Sequence, residues 1–514
     1  MTPLGGLDAL FLHLETAATP MHVGALHLLD APEDGSDLFA AIRRHLAARL
    51  SASPVFTRRL RALPLAIANP VWIGGRVDLS QHLKRVRLPA PGTLRQLEAL
   101  VARLHAQRLD RGRPLWQFVL IEGLADGGYA FYTKVHHAAI DGAAGVALAQ
   151  ALLDPAPASS GTESAVRTDD LPGEEPGTAQ LLAAALLHNG RAGIGLLQLV
   201  PSLARAAFGA LRGAGDGTLA ASARHLSLAP ATPFNEAIDA RRSIATASLP
   251  LGRLRAIATA QEVTVNDVVL AVVGGALRRY LGARDELPAQ PLLAAMPVSL
   301  RASGDTQMNT QATMAQASLA TNIADPLERL RAIHVAAGAA KTMSRGLRPA
   351  FGLSLPSMGL PWLLTAAAAL YGSGLAQRLP RLANVVVSNV PGPAVPLYLA
   401  GARLRTWWPL SIVEHGVGLN ITVMRYLDAL DVGLVAAQRL VPDAAPLAQA
   451  LLEASDELAA AALPPPAPKR KRTSAGHADR APDARPRAPR KAGGRRDSER
   501  APPLRSRRNR QQEK

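Results

Sequence analysis

The sequence predicts an α/β protein built from two folded lobes. Three observations support this prediction: strand-like and helix-like runs alternate along the chain, its 514 residues exceed the length of one average domain, and a stretch rich in Pro, Gly, Ser and acidic residues interrupts the pattern at 154–178. Hydrophobic residues make up 48% of the chain, as expected for a protein with a packed core.

The first lobe is predicted to span 1–153. The runs "GALHLL" and "WQFVLIEG" have the length and composition of strands. In "LRQLEALVARLHAQRL" apolar residues recur at intervals of three and four, which predicts a helix with one buried face. The residues of that face are Leu94, Leu97, Leu100, Val101 and Leu104.

Residues 154–232 are predicted to form a linker followed by an amphipathic helical segment. The linker has no hydrophobic periodicity. The run "AQLLAAALLHNGRAGIGLLQLVPSLARAAFGALRGAG" that follows is apolar and carries three arginines, Arg191, Arg205 and Arg212, but no acidic residue. Such a segment lies on an anionic membrane surface or covers a core, and the sequence leaves both interpretations open.

The second lobe is predicted at 233–463. The run "VTVNDVVLAVVGGALRRYLG" indicates a long helix with Asn266 or Asp267 placed to cap it. The runs "PLLAAMPVSLR" and "LANVVVSNVPGP" are typical of strands that end in turns, and "AAPLAQALLEASDELAAAAL" predicts a closing helix.

Most of the positive charge lies in one segment at the end of the chain. Residues 464–514 contain 17 Lys/Arg and five Asp/Glu, and so supply +12 of the formal net charge of +17. Low hydrophobicity, many prolines and dense charge predict a disordered basic tail. The folded part is therefore close to neutral, which argues against a nucleic-acid-binding fold.

The chain contains no cysteine, which excludes disulfides, thiolate metal ligands and a cysteine nucleophile. The first residues, "MTPLGGLDALFLHLE", lack the basic start and long apolar segment of a secretory signal. The uncharged stretch from Pro349 to Gln377 is interrupted by proline and glycine, so we expect short apolar helices there and no membrane span.

Two adjacent histidines end the run "GYAFYTKVHH", which has the composition of a strand. Side chains alternate between the faces of a strand, so Phe131, Val135 and His137 are expected on one side and Tyr132 and His136 on the other. The two imidazoles should therefore have different roles.

His137 follows the apolar face, a position that suits a general base. An imidazole near its ordinary pKa of ~6.5 is partly neutral at neutral pH and can take a proton from a hydroxyl. Asp141 could buttress the turn or orient an imidazole, and Gly142 relieves crowding before the next helix. A metal site is the competing interpretation, but adjacent histidines diverge on a strand, so no metal is expected.

The run "HHAAIDG" matches the HHxxxDG motif of the acyl-CoA-dependent acyltransferase superfamily, which includes chloramphenicol acetyltransferase and peptide-synthetase condensation domains. Four further runs, in order, resemble bacterial wax ester synthase/diacylglycerol acyltransferases: "PLGGLDALFLHLETAATPMHVGALHLLD", "LDRGRPLWQFVLIEGL", "TVNDVVLAVVGGALRRYL" and "VVVSNVPGPAVPLYLAGARL". The resemblance covers roughly residues 3 to 460.

This resemblance implies two chloramphenicol-acetyltransferase-like lobes with a channel between them, and a fatty acyl transfer from acyl-CoA to diacylglycerol or a long-chain alcohol. It implies His137 as catalytic base beside His136, and a structural Asp141 paired with an arginine, for which Arg301 is our candidate. Gly142 would give clearance for substrate. Asn266 and Asp267 would face the channel, although the alternative that they only cap a helix stays open. Acyl-CoA would be a co-substrate, and no cofactor is expected.

Lipid substrates imply a cytoplasmic protein in peripheral contact with the inner membrane or lipid droplets. The 179–212 segment, the 349–377 stretch and the tail are the candidate contacts. A different hydroxyl acceptor is the runner-up interpretation. The third is a non-catalytic protein that binds a lipid surface or, through its basic tail, nucleic acid, which is the less favoured partner.

Overall fold

A computed structural model describes residues 2–4, 6–32, 34–64, 68–140, 145, 148–149, 151–157, 177–187, 190, 228–299, 312–346 and 380–464. Asp141, Gly142 and Arg301 lie outside the described residues, as do most of the predicted linker, the 349–377 stretch and nearly all of the basic tail. Met1–Pro465 forms one compact unit.

The helices of the described part are α1 (Gly6–Leu14), α2 (Leu38–Arg49), α3 (Pro54–Thr57), α4 (Leu79–His82), α5 (Leu94–Ala106), α6 (Thr178–Leu187), α7 (Leu251–Ala260), α8 (Val265–Gly282), α9 (Pro326–Gly346) and α10 (Ala445–Ala462). The strands are β1 (Thr2–Pro3), β2 (His22–Leu29), β3 (Arg58–Arg61), β4 (Val71–Gly74), β5 (Leu83–Arg87), β6 (Trp116–Glu122), β7 (Tyr129–His136), β8 (Arg242–Pro250), β9 (Leu293–Ser299), β10 (Ala312–Ser318), β11 (Val385–Val390), β12 (Tyr398–Leu399), β13 (Ala402–Arg403), β14 (Trp408–Leu410), β15 (Leu419–Tyr426) and β16 (Ala429–Ala437). The strands and helices predicted from the quoted runs are confirmed in type where the structure describes them, and the run that begins at residue 179 is described mainly at its start, as α6.

Two mixed sheets organise the molecule, which confirms the α/β fold class. The first has five strands in the order β14-β2-β7-β6-β5, antiparallel except for the parallel pair β5 and β6. The second has six strands in the order β10-β9-β11-β15-β16-β8, and β11 is parallel to both of its neighbours. A short antiparallel sheet, β1-β4-β3, lies beside the first.

The core of the second sheet is built on α8, which is apolar on nearly every side and is buried along most of its length. Gly274 of this helix allows a close approach, because a Cβ there would lie 2.3 Å from the main-chain oxygen of Leu319. The "VGG" run therefore lets α8 pack directly against the chain that follows β10.

A further core is shared between the two sheets. It joins Leu97 and Val101 of α5 and Tyr132 of the first sheet to Ile244 and Val435 of the second. Leu97 and Val101 confirm the predicted buried face of α5, but Leu94 is wrong: its side chain is 44% exposed. The helix instead buries Glu98 and His105, which are hydrogen bonded across this shared core.

One edge of the first sheet is completed by the distant strand β14. Trp408, Pro409 and Leu410 pair antiparallel with Leu26, Ala25 and Gly24 of β2. Just before β14, Arg405 donates its main-chain N–H to the oxygen of Leu28. Residues from the second half of the sequence are therefore part of the first sheet, a pairing that the sequence did not predict.

The described part of the 154–232 segment contacts the body of the protein at both ends. Asp154 forms a buried ion pair with Arg49 of α2, with 2.6 Å between Oδ1 and Nη2. Leu181 and Ala185 of α6 pack on the small sheet, whereas Leu186 and Leu187 are 59% and 62% exposed. Within the described residues no single helix has the length and apolar composition of a membrane span, and α7 and α8 meet that criterion only as a pair bent by 105°.

Candidate active site

Strand β7 distributes its side chains as the alternation predicts. Phe131 and Val135 enter the core on one side of the first sheet, and Ala130 and Tyr132 enter the shared core on the other. The strand ends one residue earlier than expected, at His136, and His137 begins a 3₁₀ turn, His137–Ala139. The direction of the second imidazole is therefore set by this turn.

His136 is completely buried and its two ring nitrogens have different surroundings. Nδ1 accepts a hydrogen bond from the main-chain N–H of Ala138 at 3.0 Å, which places the ring proton on Nε2. Nε2 faces Oε1 of Glu15 at 3.5 Å. Nδ1 of His136 is thus held by the turn, whereas Nε2 is buried beside a carboxylate without a hydrogen bond.

Glu15 is a buried carboxylate held by groups from three segments. Arg111 donates to Oε2 from Nη2 at 2.7 Å and from Nε at 3.0 Å, and Met21 donates its main-chain N–H to Oε1 at 3.3 Å. Burial alone would raise the pKa of Glu15, but the contact with His136 and the hydrogen bonds and positive charge of Arg111 outweigh burial and lower the pKa to about 2. The carboxylate is therefore ionised across the physiological pH range.

His137 lies beside this pair but has a different environment. Its ring stacks on Phe11 of α1, with 3.9 Å between ring centroids and 17° between planes. Its main-chain N–H donates to the oxygen of Met21 at 2.8 Å. Among the described residues, Nδ1 is buried and has no hydrogen-bond partner on another residue.

The protonation state of His137 follows from this environment. Burial lowers its pKa to about 4, and the nearby His136 acts in the same direction, whereas an interaction with its own main chain acts in the opposite one. The imidazole is therefore neutral at neutral pH, which is the state a general base requires.

The second motif, "VNDVV", begins α8 with a capping box. Thr264 is the N-cap, and not Asn266 or Asp267 as predicted: its side chain accepts the N–H of Asp267, whose carboxylate in turn accepts the N–H of Thr264. Asp267 also accepts a hydrogen bond from Nδ1 of His334 at 2.8 Å. Burial acts to raise the pKa of Asp267, but these hydrogen bonds outweigh it and lower the pKa.

Asn266 does not take part in the cap. Its Oδ1 accepts a hydrogen bond from Nδ2 of Asn389 at 3.2 Å, so the "VNDVV" and "NVPGP" runs meet at the start of α8. Gly392 of the second run has no room for a side chain, because a Cβ there would lie 1.9 Å from the main-chain oxygen of Arg425. Within the described residues no hydrogen bond joins this pair to His137.

Two further observations concern the described chain as a whole: whether it could hold a metal ion, and where a cleft opens. Within the described part of the chain, no group of three or more His, Asp or Glu side chains is arranged to hold a metal ion. A cleft of about 640 Å³ opens between α5 and the first residues of β8, and its lining includes Arg103, Arg242 and Glu98. None of His136, His137, Asn266 and Asp267 lines this cleft.

Family models match both halves of the chain. The wax ester synthase/diacylglycerol acyltransferase catalytic domain matches residues 4–269, and the C-terminal domain of the same family matches residues 309–459. The chain belongs to the wax ester synthase/diacylglycerol acyltransferase family. This confirms the resemblance identified from the motifs, and the protein is an acyltransferase.

Individual relatives support the same family assignment. A putative diacylglycerol O-acyltransferase of Mycobacterium tuberculosis is 38% identical over 443 residues, covering 85% of this chain and 94% of the relative. The solved wax ester synthase/diacylglycerol acyltransferase from Marinobacter aquaeolei VT8 is 32% identical, with a TM-score of 0.64 over 90% of this chain and 100% of that one. The first condensation domain of the calcium-dependent antibiotic synthetase, 15% identical with a TM-score of 0.51 over 90% of this chain and 97% of that one, shares the fold.

Sequence reasoning on this family member missed the residues that hold the motif. Glu15 and Phe11 contact the two histidines, Arg111 holds Glu15, and Arg58 of β3 donates from Nη2 to the main-chain oxygen of Ala139 at 3.1 Å. Glu15 was inside a quoted run, and an acidic residue between apolar ones in "FLHLETAA" is the signal that could have indicated a buried carboxylate.

If His137 is the base of the acyl transfer, its depressed pKa predicts an unusual pH profile for the acyltransferase. A base with the ordinary histidine pKa of 6.5 would lose activity as the pH falls through that value, whereas His137 stays neutral until the pH approaches 4. We expect kcat/KM to stay level through pH 6.5 and to fall only as pH 4 is approached. Initial rates in a pH series, with circular dichroism in each buffer to verify folding, measure this. Half-loss of kcat/KM near pH 6.5 in folded protein would contradict the assignment.

Proposed function

We propose that this acyltransferase moves a long-chain fatty acyl group from acyl-CoA to the hydroxyl of diacylglycerol or a long-chain alcohol, forming triacylglycerol or wax ester. The observation that carries the proposal is the state of His137: a neutral imidazole, stacked on Phe11, with no hydrogen-bond partner on another described residue. Family membership supports the substrate class.

The proposed reaction is a direct transfer with His137 as general base. Because Nδ1 is buried, Nε2 is the nitrogen that takes the proton from the acceptor hydroxyl as its oxygen attacks the thioester carbonyl. The tetrahedral intermediate then collapses: the C–S bond breaks, the new C–O ester bond remains, and the imidazolium returns the proton to the departing CoA thiolate. No acyl-enzyme intermediate is required, and acyl-CoA is the co-substrate.

Several contacts support His137 and not His136 as the base. Nδ1 of His136 accepts the N–H of Ala138, and its Nε2 is buried 3.5 Å from Oε1 of Glu15 without a well-formed hydrogen bond. The main-chain bond to Met21 and the face of Phe11 fix His137 from two directions. A base fixed in this way is poised for proton transfer with little reorganisation.

We further propose that the protein works in the cytoplasm, in peripheral contact with the inner membrane or a lipid droplet, because both products are lipids. Leu186 and Leu187 on α6 are exposed apolar side chains suited to such a surface. The basic 464–514 tail would add electrostatic attraction to anionic lipid. Co-sedimentation with anionic and with neutral vesicles measures this contact, and equal recovery in the supernatant for both would contradict it.

The proposed activity is tested by presenting the purified protein with palmitoyl-CoA and either hexadecanol or diacylglycerol. We expect stoichiometric release of free CoA and formation of ester, measured by a thiol reagent and by lipid chromatography. An assay without acceptor is the control, since CoA released there reports hydrolysis only. Absence of ester with both acceptors, in protein of native circular dichroism, would overturn the proposed substrates.

A further inference from the structure

The loop that joins α1 to β2, residues 15–21, is the element that contacts both motif histidines. Its first residue, Glu15, faces His136, and its last, Met21, accepts the main-chain N–H of His137. The loop is internally cross-linked, because the hydroxyl of Thr19 donates to the oxygen of Leu14 and the hydroxyls of Thr16 and Thr19 are 2.8 Å apart. These hydrogen bonds define the conformation of the loop, and its position therefore bears on both histidines.

One side chain from the second sheet reaches this loop. Arg242, the first residue of β8, donates from Nη2 to the main-chain oxygen of Ala18 at 2.7 Å. Its Nη1 donates to the main-chain oxygens of Asp239 and Arg241 at 2.5 and 3.2 Å. One guanidinium thus joins the start of β8 to the middle of the 15–21 loop, across 224 residues of sequence.

Arg242 is both buried and charged, so its hydrogen bond to the oxygen of Ala18 is a structural contact of the core and not a chance surface contact. The residue is 6% exposed, and among the described residues its guanidinium is bonded to carbonyl oxygens and to no carboxylate. The carboxylate of Asp239 pairs with Arg241 instead. Burial lowers the pKa of Arg242 to about 10, opposed by the charge of Asp239, so the group stays charged. A buried charge is retained only where its hydrogen bonds are well made.

We propose that Arg242 is a positioning residue for the acyl transfer: through the oxygen of Ala18 it fixes the 15–21 loop and, through that loop, the imidazole of His137. This role rests on the proposed function. Arg242 itself does not take part in proton transfer. Arg242 and its neighbour Arg241 both form part of the wall of the 640 Å³ cleft beside α5.

The test compares Arg242→Met with the neighbouring Arg241→Met. Both variants remove one positive charge from the same turn, but Arg241 is 70% exposed and pairs with Asp239 on the surface. Since small misplacements of a reacting group lower rates by about 10²-fold, we expect kcat of Arg242→Met to fall on the order of 10- to 100-fold with KM changed much less. Arg241→Met should keep both constants. Assays are run well below the unfolding midpoint of each variant, so that loss of folded protein does not contribute.

Arg242→Lys keeps the charge, but its compact ammonium lacks the spread of the forked guanidinium, whose two terminal nitrogens reach Asp239 and Ala18 separately. We expect a kcat between those of wild type and Arg242→Met. An unchanged kcat in folded Arg242→Met overturns the inference, as does an equal loss in Arg241→Met. If Arg242→Met does not fold, an unchanged kcat in Arg242→Lys overturns it. A wild type that forms no ester overturns the proposed function, and the positioning role with it.

Discussion

His137→Ala is expected to lower kcat by about two to four orders of magnitude, the range that general-base catalysis contributes. The variant removes an imidazole that is neutral at neutral pH and whose buried Nδ1 has no hydrogen-bond partner on another described residue. Stability should change less than activity, because the main-chain bond to Met21 does not depend on the side chain. Steady-state release of CoA with saturating acceptor measures kcat.

His136→Asn is the informative comparison for this prediction. An asparagine oxygen can accept the N–H of Ala138 as Nδ1 of His136 does, so part of the turn is preserved. We expect a smaller loss of kcat in His136→Asn than in His137→Ala. The reverse order, with His137→Ala near wild-type activity, would remove the general-base mechanism and leave another base to be found.

Glu15→Ala is expected to produce the largest loss of stability. The change leaves the buried His136 without its carboxylate and leaves Arg111, whose side chain is 43% exposed, without its partner, so we expect the free energy of unfolding to fall by about 1–3 kcal/mol, the cost of losing buried hydrogen bonds to a charged group. Denaturant unfolding followed by fluorescence or circular dichroism measures the change. Activity should fall as well, because Glu15 anchors the loop beside His137.

A matched control is Asp456→Ala, which removes an exposed carboxylate that also pairs with an arginine, Arg253. Exposed ion pairs contribute about 0–1 kcal/mol to the free energy of unfolding, so this variant should be near wild type in stability.

The contribution of Glu15 to stability also has a defined pH dependence. Its folded-state pKa of about 2 lies below its ordinary value of 4.5, so its stabilisation is complete above pH 4.5 and is lost as the pH falls toward 2. Equal losses of unfolding free energy in Glu15→Ala and Asp456→Ala would contradict the role of Glu15 as a buried anchor.

Local patterns predicted the elements on which the site is built. The alternation of β7 assigned Phe131 and Val135 to one face and Tyr132 to the other, because a strand has a period of two that any half-buried sheet must respect. The period of α5 identified Leu97 and Val101 as buried. Both patterns are carried by consecutive residues, so they can be read without knowing what packs against them.

Long-range contacts could not be predicted in this way. Arg111 and Glu15 are 96 residues apart, and neither residue type nor spacing indicates that they meet. Strand β14 has three residues, too few for a period, and its partner β2 lies nearly 400 residues earlier. The capping of α8 was assigned to the wrong residue because Thr264, Asn266 and Asp267 are all good cap formers, and only the backbone geometry distinguishes them.

The pairing of β14 with β2 has a consequence for how the chain is made. A ribosome delivers residues 22–29 long before residues 408–410, so during most of synthesis β2 is an open strand edge with unpaired N–H and C=O groups. Such an edge can pair with a neighbouring nascent chain, and a fragment that stops before residue 408 keeps that hazard permanently. Soluble expression is therefore expected to require the polypeptide at least through Leu410.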